Sequence, residues 1–324
     1  MRIPRATIVL AALICACALP LWPALAQSYP AKPLRIIVPY APGGSVDLTG
    51  RLVAQGLQQG MGQPALVENR AGAGGAIGTD VVAKATPDGH TLLVVAPGAM
   101  TVISHFQKIL YDPVKDFAAV TSLAVSPLLL SVNTALPVNN VNELIAYTKT
   151  QASSVNFSST GPGSLSVLAG ELFKMMTGAR LTVVTYNGGA PAAAAIASGE
   201  VSFGITDSAP VFPHVSAGKV RILALTEPKR VPSKPDIPTV AESVSGYEVA
   251  SWTALFAPAG TAPAIVNRLH AEIVKLFNTP EIRDRALKVG MDPSINGPEA
   301  MGKMIRDDFD KWRKLVASTG LKAQ

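Results

Sequence analysis

Cysteine is almost missing from this sequence of 324 residues: there are two, Cys15 and Cys17, and both fall within the first 26 positions. No disulfide can tie the remainder, which must be held by an ordinary apolar core. Charge is sparse as well, at 15% Asp, Glu, Lys and Arg, and aromatic residues make up 6%. The lysines and arginines are scattered, no basic block with interleaved aromatics occurs, and nucleic acid is excluded as a partner. Histidine is scarcer still: His90, His105, His214 and His270 lie far apart without ligand-type spacing, which gives no metal site. Also lacking are G-x-x-x-x-G-K-S/T, H-E-x-x-H and G-x-S-x-G, and no cofactor is expected. No internal repeat of fixed period is present. What remains is an α/β-type globular chain of about two domains.

Mean hydropathy is +0.30, so a membrane span must be considered first. One segment qualifies. Arg2 and Arg5 form a cationic start, Ile8 to Leu19 an apolar stretch, and Ala24-Leu25-Ala26 a small-residue cleavage box, the pattern of a secretory signal peptide over 1–26. Pro20 and Pro23 interrupt the stretch, which is short of the ~20 residues a span requires. The mature chain is expected to begin at Gln27, in the periplasm, without thiols. A competing use of Cys17 as a lipoprotein acceptor has a suitably small preceding residue, Ala16, but carries Cys15 at the middle position. Without Arg2 and Arg5, 26 Lys and Arg face 22 Asp and Glu, a net charge of +4. That supports a weak preference for small anions.

Strand-like runs alternate with helical patterns and Gly/Pro-rich turns, the texture of α/β layers. Strands are expected at Leu34 to Val38, Thr91 to Ala96, Leu128 to Val132, Val155 to Ser158, Thr182 to Tyr186, Phe203 to Thr206, Arg221 to Thr226 and Ser251 to Ala257. A helix is expected from Val46 to Gln59. Near the end, Met301, Ile305, Phe309, Trp312 and Val316 recur at helical spacing as a core-facing stripe. The Pro-rich stretch Glu227 to Pro238 suggests a connection between lobes. Crossings placed near Ser122 and Glu227 give a discontinuous first lobe, 27–121 with 229–324, and a second lobe, 122–228.

Three loops share one design of strand, Gly/Pro/hydroxyl turn and helix start: Pro39-Tyr40-Ala41-Pro42-Gly43-Gly44-Ser45, Ser158-Ser159-Thr160-Gly161-Pro162-Gly163-Ser164 and Tyr186-Asn187-Gly188-Gly189-Ala190-Pro191. Glycine lets backbone approach a ligand closely, and a helix start offers unpaired N–H groups with partial positive charge. This is an anion site without cations. Each loop alone reads equally as a tight turn whose Ser or Thr caps the next helix. Three together point to a cleft at the strand C-termini. Micromolar affinity requires about 8 kcal/mol, against roughly 0.3–1 per helix end and about 1.5–3 per hydrogen bond to a charged group, so loops from both lobes must act on one carboxylate. Asp47 sits just inside the helix after the first loop, where capping and ligand contact are both open. Asp207 ends a strand and faces the same cleft in this reading. The stretch Gly72 to Gly78 is a poor dinucleotide match, with Ile77 where glycine is needed.

At these residues the sequence resembles the Bug (TctC) family, the extracytoplasmic receptors of tripartite tricarboxylate transporters. The resemblance rests on Tyr40-Ala41-Pro42-Gly43-Gly44-Ser45-Val46-Asp47, Val67-Glu68-Asn69-Arg70-Ala71-Gly72-Ala73-Gly74-Gly75-Ala76-Ile77-Gly78, Leu168-Ala169-Gly170-Glu171-Leu172-Phe173-Lys174, Pro238-Thr239-Val240-Ala241-Glu242 and Ala257-Pro258-Ala259-Gly260-Thr261. It implies a two-lobed, periplasmic-binding-protein-like clamshell of type II, with a ligand cleft between the lobes. It also implies a small carboxylated ligand held by backbone amides, hydroxyls and ordered water. Carried over by position, the first loop with Asp47, then Thr160 and Ser164, are ligand contacts. Many relatives have His at Val167, Lys at Asn187, Asp at Ala195 and Asp-Asn at Thr206-Asp207, so no particular ligand transfers.

The function expected is therefore a monomeric periplasmic receptor that binds a small carboxylate and delivers it to membrane permease subunits. The alternative is the same clamshell presenting ligand to a signalling partner. The expected contacts are Tyr40, Pro42, Gly43, Gly44, Ser45, Asp47, Thr160, Gly163, Ser164, Asn187, Gly188 and Asp207. An enzyme is not expected, because no histidine falls in any cleft loop to serve as base. Intact mass of the protein from a periplasmic extract should correspond to a chain starting at Gln27. A lipidated species at Cys17, or retention of Met1, is the contrary result.

Overall fold

Strand patterning accounts for most of what the computed structural model shows in residues 29–161, 163–288 and 291–319. The signal segment and both cysteines lie outside the described residues. From Lys32 onward the chain forms one contact unit built on two sheets. The first holds β1 (Leu34–Val38), β2 (Ala65–Asn69), β3 (Thr91–Val95), β4 (Phe117–Val125), β10 (Trp252–Pro258) and β11 (Asp292–Pro293), in the order β11-β4-β10-β3-β1-β2. The second holds β5 (Leu128–Asn133), β6 (Val155–Ser159), β7 (Leu181–Thr185), β8 (Phe203–Asp207) and β9 (Val220–Leu225), in the order β7-β6-β8-β5-β9. In each sheet one side is parallel, β3-β1-β2 and β8-β6-β7, and the other antiparallel. The mixed α/β, two-lobed architecture is the one expected.

Central strands read as near-continuous apolar runs because helices cover both faces. β3 is Thr-Leu-Leu-Val-Val, with all but its threonine buried. α1 (Ser45–Met61) and α2 (Ala76–Ala83) follow β1 and β2. α3 (Val141–Thr150), α4 (Leu165–Thr177), α5 (Gly189–Ser198) and α6 (Ser208–Ser216) belong to the second lobe, while α7 (Pro263–Phe277) and α8 (Pro280–Lys288) return to the first. Helix α1 runs so close to α7 that a Cβ on Gly56 would stand 2.4 Å from Leu276. β2 and β4 were not expected. β2 is half exposed at the sheet edge, and β4, Phe-Ala-Ala-Val-Thr-Ser-Leu-Ala-Val, is too alanine-rich to read as a strand.

Three segments pass between the lobes. The first leaves β4 after Val125 and enters β5 at Leu128, so the crossing placed at Ser122 comes a few residues later. The break is Ser126-Pro127, where proline cannot continue the ladder. The second runs from Leu225 to Trp252. Its residues from Pro238 to Val249 stay with the second sheet: Leu225 N–H donates to Pro238 O, Val249 N–H donates to Thr226 O, and Val240, Tyr247 and Val249 are buried beside Phe157 and Phe173. The expected return to the first lobe at 229 is corrected accordingly. The two crossings are joined where Ser126 N–H donates to Ser251 O at 2.9 Å. Asp292 of β11 ties the second crossing back to the first sheet by accepting from Ser233 N–H at 3.2 Å and Ser233 Oγ at 2.7 Å.

The third crossing is α9 (Pro298–Thr319). Its expected single stripe has two destinations. Met301 and Ile305 pack with Phe117, Trp252 and Phe256 in the first core, whereas Trp312, fully buried, packs with Phe157, Phe173 and Tyr247 in the second. Assigning all of 229–324 to the first lobe was therefore wrong for the end of this helix. Periodicity reports which face is apolar, not which neighbour each turn meets.

Glu227 sits at the second crossing, 5% exposed, accepting from Ser251 N–H at 3.0 Å. Burial pushes its carboxyl up to about 8; the Ser251 amide and Lys311 pull the other way, while Glu248 and Asp292 add to the rise. An acid raised in the folded state contributes stability that is complete below its ordinary value of 4.5 and is lost as pH climbs towards about 8. Glu227→Gln keeps the acceptor for Ser251 without the ionisation. It should melt above the parent at pH 8.5, by roughly 2–4 °C per kcal/mol recovered. Near pH 4 the two should melt together in thermal denaturation. Parallel curves across the range would remove Glu227 as the cause.

Candidate ligand-binding cleft

The first loop leaves β1 at Val38 and turns through Gly43, whose φ of +87° is left-handed and costs a non-glycine residue. Gly44 then occupies the N-cap of α1 in extended backbone, with no side chain closing the first-turn amides. The acid three residues on turns inward. Asp47, 2% exposed, accepts from Gly43 N–H at 2.9 Å and Arg51 Nε at 3.0 Å on one oxygen, and from Asn69 Nδ2 at 2.9 Å on the other. The Asn69 amide also donates to Tyr40 O at 3.0 Å. Burial pulls the Asp47 pKa up, but the bonds from Arg51, Gly43 and Asn69 outweigh it and hold the carboxyl below its ordinary value. Both alternatives for Asp47 thus meet a third outcome: its oxygens are occupied in holding the loop and its neighbours together. Asn69, supplied by β2 beside β1, and Arg51 are functional residues that the sequence did not single out.

In the second loop Ser164 is the N-cap of α4, and its hydroxyl accepts from Val167 N–H at 3.3 Å. Capping uses that oxygen, as the bland reading of a βα turn has it. Thr160 is half-buried, and its carbonyl accepts from Gly188 N–H at 3.1 Å, which braces the third loop against the second. A Cβ on Gly163, φ +65°, would stand 3.6 Å from Ile103 and 3.8 Å from Phe106, so this loop abuts the 98–106 segment after β3. The third loop gives α5 an N-cap glycine, Gly188 at φ +110°, again without a side-chain cap, and leaves Asn187 exposed.

Asp207 closes β8 at the N-cap of α6 without capping it. Its Oδ2 lies 3.2 Å from where a Cβ on Gly189 would stand. In the first loop the Tyr40 hydroxyl accepts from Ala99 N–H at 3.3 Å. Burial raises the Tyr40 pKa and the Asp207 charge raises it further, against the Ala99 bond. The Asp207 charge is thus felt at the first loop. The Gly188 bond to Thr160 joins the second and third loops, and Pro42 and Asn187 are exposed. Ser158, Ser159 and Thr206, at the ends of β6 and β8, are fully buried with hydroxyls lacking a protein partner.

The glycine stretch 72–78 has no dinucleotide role in its geometry. Gly72, Ala73, Gly74 and Gly75 take successive positive φ values of 133°, 48°, 64° and 97°, and a Cβ on Gly75 would meet Ala99 at 2.6 Å and Tyr40 at 3.3 Å. The run is a close-packed turn supporting Tyr40. Among the described residues no cluster of His, Cys, Asp and Glu could hold a metal ion. A surface pocket of about 290 Å³ beside the start of α9, lined by Pro113, Phe117, Glu299 and Arg306 among others, lies away from the three loops and contains none of their residues.

Two α/β lobes, crossed by three segments and presenting glycine-capped helix starts to the cleft between them, define the class of periplasmic solute-binding proteins. The chain belongs to the tripartite tricarboxylate transporter family receptors, TctC, whose sequence profile matches residues 49–321. It is 36% identical over 303 residues to Protein BugT of Bordetella pertussis, covering 93% of each chain. Among solved structures it is similar to R. palustris Rpa4515 with adipate, at 33% identity, TM-score 0.84 and coverage of 91% of this chain and 100% of that one. It is also similar to MatC from Rhodopseudomonas palustris with bound malate, at 30% identity, TM-score 0.78 and coverage of 89% and 100%. These relatives bear out the family resemblance and the clamshell fold.

Two substitutions separate holding from contact. Gly44 has negative φ and open space around a Cβ, its nearest neighbour being Ala41 O at 4.0 Å. Gly44→Val should lower stability by roughly 0.5–1 kcal/mol, as an apolar N-cap does, yet weaken carboxylate binding by more because the side chain crowds the open amides. Asp47→Ala should lower stability by roughly 1–3 kcal/mol and binding with it, since buried donors lose their acceptor. Thermal melts with calorimetric titration check both. A Gly44 variant that binds normally would make the first loop a mere turn.

Proposed function

We propose that this chain is a periplasmic solute receptor that captures a small carboxylated metabolite between its lobes and delivers it to the membrane subunits of a tripartite tricarboxylate-type transporter. The observation carrying this reading is the start of α1, open at Gly44 and held by Asp47, in a fold whose second lobe offers a further uncapped glycine helix start at Gly188. A carboxylate there meets amides rather than cations, the donor set suited to an anion that must also be released. Tyr40, Gly43, Gly44, Ser45, Thr160, Gly163, Ser164 and Gly188 are the proposed contacts, through backbone and hydroxyl groups. Pro42 and Asn187 form the rim, Asp207 faces the ligand, and Asp47 acts as a positioning residue.

Support comes from the family, whose members are transporter receptors, and from relatives solved with adipate and malate. Catalysis is not proposed: the three loops contain no histidine to serve as base. The described residues include no helix long and apolar enough to cross a membrane, and the leading 26 residues read as an export signal. The paired crossings at Ser126 and Ser251 serve as the hinge in this reading.

A receptor of this kind closes on its ligand, because loops on both lobes must reach one molecule. Small-angle scattering of the mature monomer should show a smaller radius of gyration at saturating ligand. The ligand should first be found as a rise in melting temperature in a screen of mono-, di- and tricarboxylates, amino acids and aromatic acids. A bound ligand with an unchanged scattering profile would mean a rigid pocket.

A further inference from the structure

The cleft contains two acids, and their circumstances differ. Asp47 is saturated by three donors and screened from the cleft. The Asp207 side chain makes no hydrogen bond or ion pair to another residue among the described residues, although it is half-buried beside Gly189 and its charge acts on Tyr40 of the first loop. It is the last rung of β8, paired with Leu128, so the backbone fixes where it stands. We infer that the cleft selects a carboxylate that also carries a hydrogen-bond donor, an ammonium or a hydroxyl, and that Asp207 receives that donor. The inference rests on the receptor reading and deepens it by naming the ligand class.

The argument is one of polarity along the cleft. At the α1 end the amides above Gly44 have no acid facing them, since the Asp47 oxygens are turned to Gly43, Arg51 and Asn69. A ligand carboxylate fits there. At the α5 end the helix start is equally uncapped, but the Asp207 Oδ2 stands beside Gly189, so a second carboxylate would be brought up against an acid. Like charges in a closed, water-poor cleft are costly, whereas a donor placed between them satisfies both. Burial pushes the Asp207 pKa up and only its own backbone amide opposes this, which disfavours the bare carboxylate until a donor on the ligand answers it. Tyr40 is no substitute donor of charge, because burial raises its pKa and keeps it neutral.

The test is a matched series measured by calorimetric titration at pH 7.5 on the mature protein: succinate, malate and aspartate, then glutarate, 2-hydroxyglutarate and glutamate. Within each set the skeleton is constant and position 2 carries hydrogen, hydroxyl or ammonium. In at least one set the hydroxyl or ammonium member should bind at least tenfold tighter than the plain diacid, and malate against aspartate tells which donor is preferred. Asp207→Asn, and Asp207→Ser as a second variant, should reduce that preference to under threefold by weakening the hydroxyl or ammonium member, with melting curves showing both variants folded. Plain diacids that bind as well as their substituted partners, or a preference that survives both variants, would overturn the inference and leave the receptor reading intact. If none of the six binds a folded protein at millimolar concentration, this inference falls, while the receptor reading stands or falls by the wider thermal-shift screen.

Discussion

A helix start attracts an anion only while its first amides are left open, and the residue types that favour helix starts are those whose side chains close them. In α1 this conflict is resolved by one buried carboxylate. Gly44 takes the cap position and contributes no oxygen, while Asp47 turns away from the cleft to collect Gly43, Arg51 and Asn69. Because Asn69 also holds Tyr40 O, the same contact fixes the loop, the end of β2 and the backbone that carries the Tyr40 ring. The binding surface thus depends on an acid that the ligand need not touch.

The second loop resolves the conflict differently. Ser164 caps α4 in the ordinary way, which leaves its backbone and Thr160 for other work. The third loop is braced from behind by the Gly188 bond to Thr160 and confronted from the front by Asp207. Three loops of one sequence design therefore offer three different surfaces: open amides, a capped turn and an acid-faced turn. Recognition in such a cleft follows from what stands beside each helix start.

Much of this was legible in the sequence where the cause is local. Glycines at 43, 163 and 188 announce turns because the backbone there takes positive φ, and apolar runs such as Leu34–Val38 announce buried strands. Arg51 lies four residues from Asp47 on one helix face, a spacing visible in principle. Asn69 was not visible, since it reaches Asp47 only because β2 pairs in parallel with β1. The influence of the Asp207 charge on Tyr40 depends on how the lobes are placed, which no local pattern encodes. The same holds for the lobe boundaries: β4 runs past Ser122 to Val125, and the residues around Tyr247 return to the second core because of packing partners more than 70 residues away, as in the Tyr247 hydroxyl bond to Ala169 O.

Helix α9 has a consequence for the order in which the protein can be completed. Met301 and Ile305 finish one core and Trp312 the other, on a single rod near the end of the chain. Neither half can reach its final packing while that rod is still being made, however early its own strands have paired. Nascent chains should consequently stay loose until residue 312 has emerged, and then tighten in both halves at once. A polypeptide so arranged postpones its own solidification, which is the property required of any chain that must be threaded through a narrow passage before it folds.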